Sequence, residues 1–338
     1  MAPEVWWGVL TVAFLLSFIG TWAFRSFALY KGIVANPNFR SLHQRPIATG
    51  GGIAFALVFL STIVGLRLTG LIDSDWILAI CLGGAVATVT GFVDDVAQIR
   101  PAVKLVVQGV LAAWILGCSG GAPLLGLQWM PITIDLAVSW LAIVWLMNLY
   151  NFIDGIDGMA ASGAAFICAT SIVAVLFATG NGALMFIFGL LAICCLGFLP
   201  FNWSPASIFM GDSGSLFLGY CFSALIAKTA VEGDISLWTW LIVFGYFAGD
   251  TTTTTLVRIF MVKKWYGAHR SHAYQNLARI SGSHLKVVGG VSLYHVLWLL
   301  PLAIWSTREP RAAPFAAVLA LVPSVLWTLR YGPRLSSA

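Results

Sequence analysis

About eleven apolar stretches, each near the ~20-residue length that crosses a bilayer as a helix, follow one another along this chain. They run from Val5 to Phe24, Gly51 to Ile72, Trp76 to Val93, Ala102 to Cys118, Ile132 to Leu149 and Met159 to Thr179. Five more lie at Ala183 to Leu199, Ser215 to Val231, Leu237 to Ile259, Val287 to Trp305 and Ala312 to Leu329. With 59% hydrophobic and only 9% charged residues, the chain lacks the charge a soluble surface needs. The expected fold is therefore all-α: one polytopic integral membrane domain over residues 1–338, with about eleven transmembrane helices. Met1-Ala-Pro-Glu4 has no basic n-region, so the first apolar run is expected to stay as a helix.

Charge then orients the chain. Fourteen of the 18 Lys and Arg residues fall in one set of loops, and only Arg67, Lys228, Arg308 and Arg311 fall in the other. By the positive-inside rule the first set is cytoplasmic, which puts the N-terminus outside and the C-terminus inside. Asp73, Asp75, Glu232 and Asp234 then face outward. The net charge of +5 is scattered over short loops rather than gathered on one face, which argues against nucleic acid as a partner. The six cysteines lie in or beside apolar runs without metal-ligand spacing and read as small core hydrophobes.

Against this background the polar residues are few and grouped. Asn148, Asn151, Asp154 and Asp157 follow one another at i, i+3 spacing, interleaved with Gly155 and Gly158, at the end of an apolar run. Two amides and two carboxylates beside glycines at a membrane helix end suit a cation together with an anionic substrate; the plainer alternative is a hydrated helix end with an Asp-Gly turn. Asp94-Asp95 closes the third run, with Lys104 beyond it. Adjacent carboxylates near lipid need a cation or a proton. Asp212 stands between Gly211 and Gly214 before the eighth run, suiting a metal or a helix cap. A helix N-terminus there also offers free amides to a phosphate. His269-Arg270-Ser271-His272 lies in a long basic loop and matches a phosphate-binding constellation, or a basic stretch on anionic headgroups. Asp250, inside the ninth run, is expected in a polar interior or at a kink near the site, and His295 in the core. Thr251 to Thr255 reads as helix hydroxyls bonded back to their own backbone. Arg45 to Gly52 reads either as a flexible linker or as a close-approach loop. All four acidic or basic clusters fall on the face assigned to the cytoplasm.

These stretches together resemble the polyprenyl-phosphate N-acetylhexosamine-1-phosphate transferase family, a glycosyltransferase 4 type. The likeness is carried by Pro46 to Gly52, Asp94-Asp95 with Lys104-Leu-Val-Val-Gln108, Asn148 to Gly158, Phe209 to Gly219, and His269 to His272. The last motif departs from the His-Ile-His-His and triple-His forms of some members and looks closer to the O-antigen-initiating branch. The resemblance implies a magnesium-dependent enzyme, with manganese as the alternative hard ion, in the bacterial inner membrane with its active site facing the cytoplasm. Undecaprenyl phosphate would attack the β-phosphorus of a UDP-N-acetyl sugar, giving undecaprenyl-diphospho-sugar and UMP. The product would start O-antigen and lipopolysaccharide synthesis, or else a peptidoglycan or teichoic-acid intermediate.

Carried over residue by residue, the resemblance makes Asn151 and Asp212 metal ligands and has Asp94 or Asp95 deprotonate or orient the lipid phosphate. Lys104, His269, Arg270 and His272 would hold the diphosphate, with Asn148 also at the substrate. Asp154 and Asp157 would act in the nucleotide-sugar pocket. Direct displacement and an aspartyl-phosphate intermediate both stay open, as do the sugar, the polymer and a homodimer. A secondary transporter would instead place polar groups at the bilayer midplane and carry internal symmetry. A CDP-alcohol phosphotransferase would need an Asp-Gly-x-x-Ala-Arg start that the chain lacks.

Overall fold

The structure, a computed structural model, describes residues 3–37, 45–70, 76–122, 124–126, 130–261 and 270–333. His269 lies outside the described residues, as do Arg40, Asp73, Asp75, Lys263, Lys264 and Arg334 of the charge pattern.

The chain is all-α, as the apolar runs predict. It opens with α1 (Pro3–Lys31), followed by a two-stranded antiparallel hairpin, β1 (Val34–Ala35) and β2 (Ile47–Ala48). Helices α2 (Gly52–Leu68), α3 (Trp76–Ala97), α4 (Pro101–Cys118) and α5 (Ile132–Ile153) come next. Then follow α6 (Met159–Ala178), α7 (Gly182–Asn202), α8 (Gly211–Glu232), α9 (Leu237–Val243) and α10 (Gly245–Met261). The chain closes with α11 (Ala273–Ser281), α12 (His284–Tyr294), a π-helical turn at His295–Leu299, α13 (Leu300–Arg308) and α14 (Ala313–Tyr331).

Among the described residues, nine helical segments are long and apolar enough to cross a membrane; one of them, His284–Arg308, runs continuously through α12 and α13. The second apolar run gives a shorter helix, the 17-residue α2. The ninth is interrupted at Phe244, between α9 and α10.

Helix α8 is the centre of the bundle. Nearly every residue from Ser213 to Thr229 is buried, and α2, α3, α4, α5 and α9 pack around it, with α3 making the largest contact. A helix apolar on all sides is expected in such a position. Helix α1, by contrast, is mostly exposed, as a lipid-facing helix would be. Small residues allow the α3–α8 approach: a Cβ added at Gly91 would lie 2.1 Å from the carbonyl oxygen of Asp212. All six cysteines are free; five are buried and Cys118 is exposed.

The same packing makes a stability prediction. Gly91→Ala forces a methyl against backbone that cannot move aside, so thermal unfolding in detergent should show a loss of about 1–3 kcal/mol. Gly65→Ala, where nothing lies within 4 Å, should leave stability unchanged or slightly raised.

Candidate active site

The N-terminus of α8 begins inside the protein, so its first N–H groups need partners there. Its own capping residue, Met210, has no side-chain acceptor. Asp95 of α3 supplies one. Its Oδ1 accepts from Asp212 N at 2.8 Å and its Oδ2 from Ser213 N at 3.1 Å. A carboxylate at a partly buried helix N-terminus contributes up to ~2 kcal/mol. Gly211, at φ +72°, sits so close to this carboxylate that a Cβ would fall 2.4 Å from Asp95 Oδ2.

Clamping α8 in this way sets Asp212 one residue further in. Lys104 of α4 donates from Nζ to Asp212 Oδ2 and to Asp94 Oδ2, both at 2.8 Å. Asn151 of α5 donates from Nδ2 to Asp212 Oδ1 and to Ser215 Oγ, both at 2.9 Å. Four helices thus bring Asp94, Lys104, Asn151 and Asp212 to one point, at the C-terminal ends of α3 and α5 and the N-terminal ends of α4 and α8. Asn148 lies one turn before Asn151 but faces α4: its Nδ2 donates to Gln108 Oε1 at 2.7 Å and to Val144 O at 2.8 Å.

No group of three or more His, Cys, Asp or Glu side chains able to hold a metal ion is found among the described residues. The donors present still fit magnesium, which is commonly bound by one or two carboxylates plus substrate phosphates. Asp94 and Asp212 are two hard carboxylates that share one ammonium at 2.8 Å, and the Asn151 amide adjoins them.

Beside this centre opens a cleft of about 1130 Å³. Asp154 and Asp157 line it from the turn after α5, Asn202 from the last turn of α7, Ser204 to Ser207 from the segment that follows, Arg25 from α1 and Arg45 from the hairpin. Arg270, just before α11, and Ser283 and His284, at the start of α12, complete the lining. Burial, with the charges of Asp212, Asp95 and Asp157 adding to it, pushes the Asp154 carboxyl up to about 8. Asp157 goes the other way. Burial raises it, but the His284 ring, 3.2 Å away, and the Ala206 N–H, 3.1 Å away, outweigh that and hold it below the usual carboxylate range.

His272 is placed elsewhere. Only 2% exposed, it packs on Phe152 and Tyr274, with Nδ1 3.8 Å from Asp250 Oδ1. Asp250 in turn accepts from the N–H groups of Ala273 and Tyr274 at 3.0 and 3.3 Å, so it caps α11 as Asp95 caps α8. The phenol of Tyr274 donates to Phe152 O. His272 thus sits at the start of α11, beside the carboxylate that caps it. Of the residues named from sequence, Asp94, Lys104, Asn151 and Asp212 meet directly, and Asp154, Asp157 and Arg270 line the adjoining cleft. Asp95, Asn148 and His272 stand behind them. The Pro46–Gly52 segment is a close-approach loop: Phe209 N donates to Ala48 O, Gly51 N to Phe209 O and Gly52 N to Met210 O.

Arg25, Asn202 and His284 were missed. Arg25 looked like a topology charge, yet its Nε donates to Ser207 O at 3.2 Å. Asn202 is a lone amide at the end of the seventh run, and its Oδ1 accepts from Gly158 N at 3.0 Å.

The fold and this centre define a polytopic α-helical membrane protein with an acid–lysine cluster and a polar cleft at one end of its bundle. Residues 77–230 match glycosyl transferase family 4. The probable undecaprenyl-phosphate N-acetylglucosaminyl 1-phosphate transferase of Bacillus subtilis (strain 168) is 30% identical, over 81% of this chain and 79% of its own. The decaprenyl-phosphate N-acetylglucosaminephosphotransferase of Mycolicibacterium smegmatis is 30% identical over 96% and 88%. A phospho-N-acetylmuramoyl-pentapeptide-transferase of Synechococcus sp. (strain WH7803) is 32% identical over 61% of each. The chain belongs to glycosyl transferase family 4.

The raised Asp154 pKa predicts a pH effect. A carboxyl whose folded pKa lies near 8 rather than the ordinary ~4 stabilises the fold fully below about pH 4, and that contribution is lost as pH rises through about 8. In metal-free detergent solution, the melting temperature of the wild type should fall between pH 6.5 and 9. Asp154→Asn should not share that fall.

Proposed function

We propose that the protein transfers N-acetylglucosamine 1-phosphate from its UDP-linked form to undecaprenyl phosphate, releasing UMP, at the cytoplasmic face of a bacterial inner membrane. Transfer of a sugar phosphate to a polyprenyl phosphate is the activity named for its relatives. The observation that carries the reading is the Lys104 ammonium held 2.8 Å from both Asp94 and Asp212, at the end of a buried helix and beside a cleft lined by three arginines. The sugar follows the relatives named for N-acetylglucosamine. The names of those relatives give the sugar phosphate and the lipid but mention no O-antigen or lipopolysaccharide route of the kind expected from His269 to Gln275.

Phosphoryl transfer asks a protein mainly for positioning and charge neutralisation. The large cleft suits a donor that is bulky and multiply anionic: Arg25, Arg45 and Arg270 supply positive charge, and Asp154 and Asp157 line the wall between α5 and α7. Asp94 also lines a second cleft of about 410 Å³, with Thr49 and Gln98, and this is the place for the acceptor phosphate. An acceptor oxygen oriented there by Asp94 attacks the β-phosphorus. The bond from that phosphorus to the bridging oxygen breaks, and UMP leaves with the oxygen. Lys104 remains beside both phosphates as the negative charge redistributes. Asp212 and the carbonyl oxygen of Asn151 would hold magnesium, which when bound supplies further neutralisation of phosphate oxygens.

Asp212→Asn keeps the shape of the centre and removes its charge. Its turnover, read as UMP release, should drop by about 10²–10³-fold while the protein elutes as a folded species. Wild-type turnover in this variant would exclude the role. Arg270→Ala should raise the KM for the UDP-sugar about tenfold with little change in kcat, the pattern of lost ground-state binding.

A further inference from the structure

The wall of the large cleft is tied together at one carboxylate. Asp157, in the turn after α5, accepts at Oδ2 from the N–H of Ala206, which belongs to the segment between α7 and α8. The same oxygen lies 3.2 Å from Nδ1 of His284, the first residue of α12. With Nδ1 bare, the same atom accepts from the backbone N–H of Asp157 at 3.3 Å, so His284 meets residue 157 through its amide or, with Nδ1 protonated, through its carboxylate. One residue on, Gly158 N donates to Asn202 Oδ1. Three segments far apart in sequence thus hold one stretch of wall, and His284 is the member furthest away, 127 positions from Asp157.

His284 is itself placed with care. Ser283 caps α12, its Oγ accepting from Lys286 N at 3.3 Å, so the ring is carried on the first residue of a capped helix. The side chain is 18% exposed and lines the cleft together with Ser283 and Arg270. A histidine at a helix N-terminus gains nothing from the dipole there, which favours negative charge. Its place is explained by the carboxylate it meets.

Resting on the donor reading above, we propose that His284 is a positioning residue for the nucleotide-sugar. It fixes Asp157, and through it the turn from Asp154 to Gly158, in the geometry that receives the donor. It lies beyond residues 77–230, so one of the residues that hold this wall comes from outside the family match, while Asp157, Asn202 and Ala206 lie within it. The acid–lysine centre contains no residue of α12, so His284 acts on donor binding rather than on the chemical step.

The test compares wild type, His284→Ala, His284→Asn and Asp157→Asn, each purified in detergent. Two readouts are taken: steady-state UMP release with donor and acceptor varied separately, and equilibrium binding of UDP. In His284→Ala the donor KM and the Kd for UDP should each rise about tenfold, with kcat and the acceptor KM within about twofold of wild type. His284→Asn, whose Nδ2 can stand near the original Nδ1, should recover most of the loss. Adding Asp157→Asn to His284→Ala should cost less than the two single losses multiplied, because the two side chains act as one unit. Unchanged donor KM and Kd in His284→Ala would overturn the proposal, as would parallel falls in kcat and in both substrates' binding. If the alanine variant does not fold, an Asn variant with independent, multiplicative effects at residues 157 and 284 would overturn it equally. Absence of turnover in the wild type with normal UDP binding would instead count against the proposed reaction, leaving the binding comparison to decide on His284.

Discussion

A helix that starts inside a protein brings unpaired N–H groups with it, and each one left unpaired there costs about 1–3 kcal/mol. Helix α8 starts that way, enclosed by its neighbours, with a capping residue that offers no acceptor. The Asp95 carboxylate, delivered from α3, meets this requirement, and much of the centre follows from it. With the first turn of α8 fixed, Asp212 has one place to go, and Lys104 and Asn151 close on it from α4 and α5. Asp250 of α10 does the same for α11, so the chain uses one device twice: an acid from one helix holds the start of another at the polar end of the bundle.

Neighbouring acids do two separate jobs here. Asp94 and Asp95 are neighbours on α3, yet only Asp94 faces the lysine; both oxygens of Asp95 are taken up by backbone amides. Asp154 and Asp157 divide similarly. Asp154 has its carboxyl raised to about 8 by burial and surrounding charge, while Asp157 is held below the usual carboxylate range by His284 and Ala206. A cluster of like charges is tolerable when some members are tied to fixed donors and only the remainder await a cation or a proton.

The architecture was legible because apolar length is a local property: among the described residues nine of the eleven runs are helices long enough to span, while the second gives a shorter helix and the ninth is broken at Phe244. The centre was legible in part. Asp94, Lys104, Asn151 and Asp212 stand out as polar residues where lipid or core would be expected, so their cost marks them. The functions of Asp95, Asn148 and His272 were not legible, since whether a polar group faces a ligand, a neighbouring helix or a backbone amide depends on rotations that no spacing rule sets. Arg25 and His284 were hidden for a different reason. Each lies among basic residues that orientation in the membrane already explains, and only the folded chain shows that they reach the cleft.

The membrane setting and the chemistry fit one another. A hydrocarbon acceptor and a charged donor can meet only where the bundle's polar end reaches the headgroups, and the clefts and the acid–lysine centre all lie at that end. The most direct measurement is the identity and stoichiometry of the products when the purified protein is supplied with undecaprenyl phosphate, UDP-N-acetylglucosamine and magnesium. The account predicts one UMP for each undecaprenyl-diphospho-sugar formed. Release of UDP, which would mean that the sugar moved without its phosphate, or no lipid-linked product with any UDP-N-acetyl sugar, would contradict it.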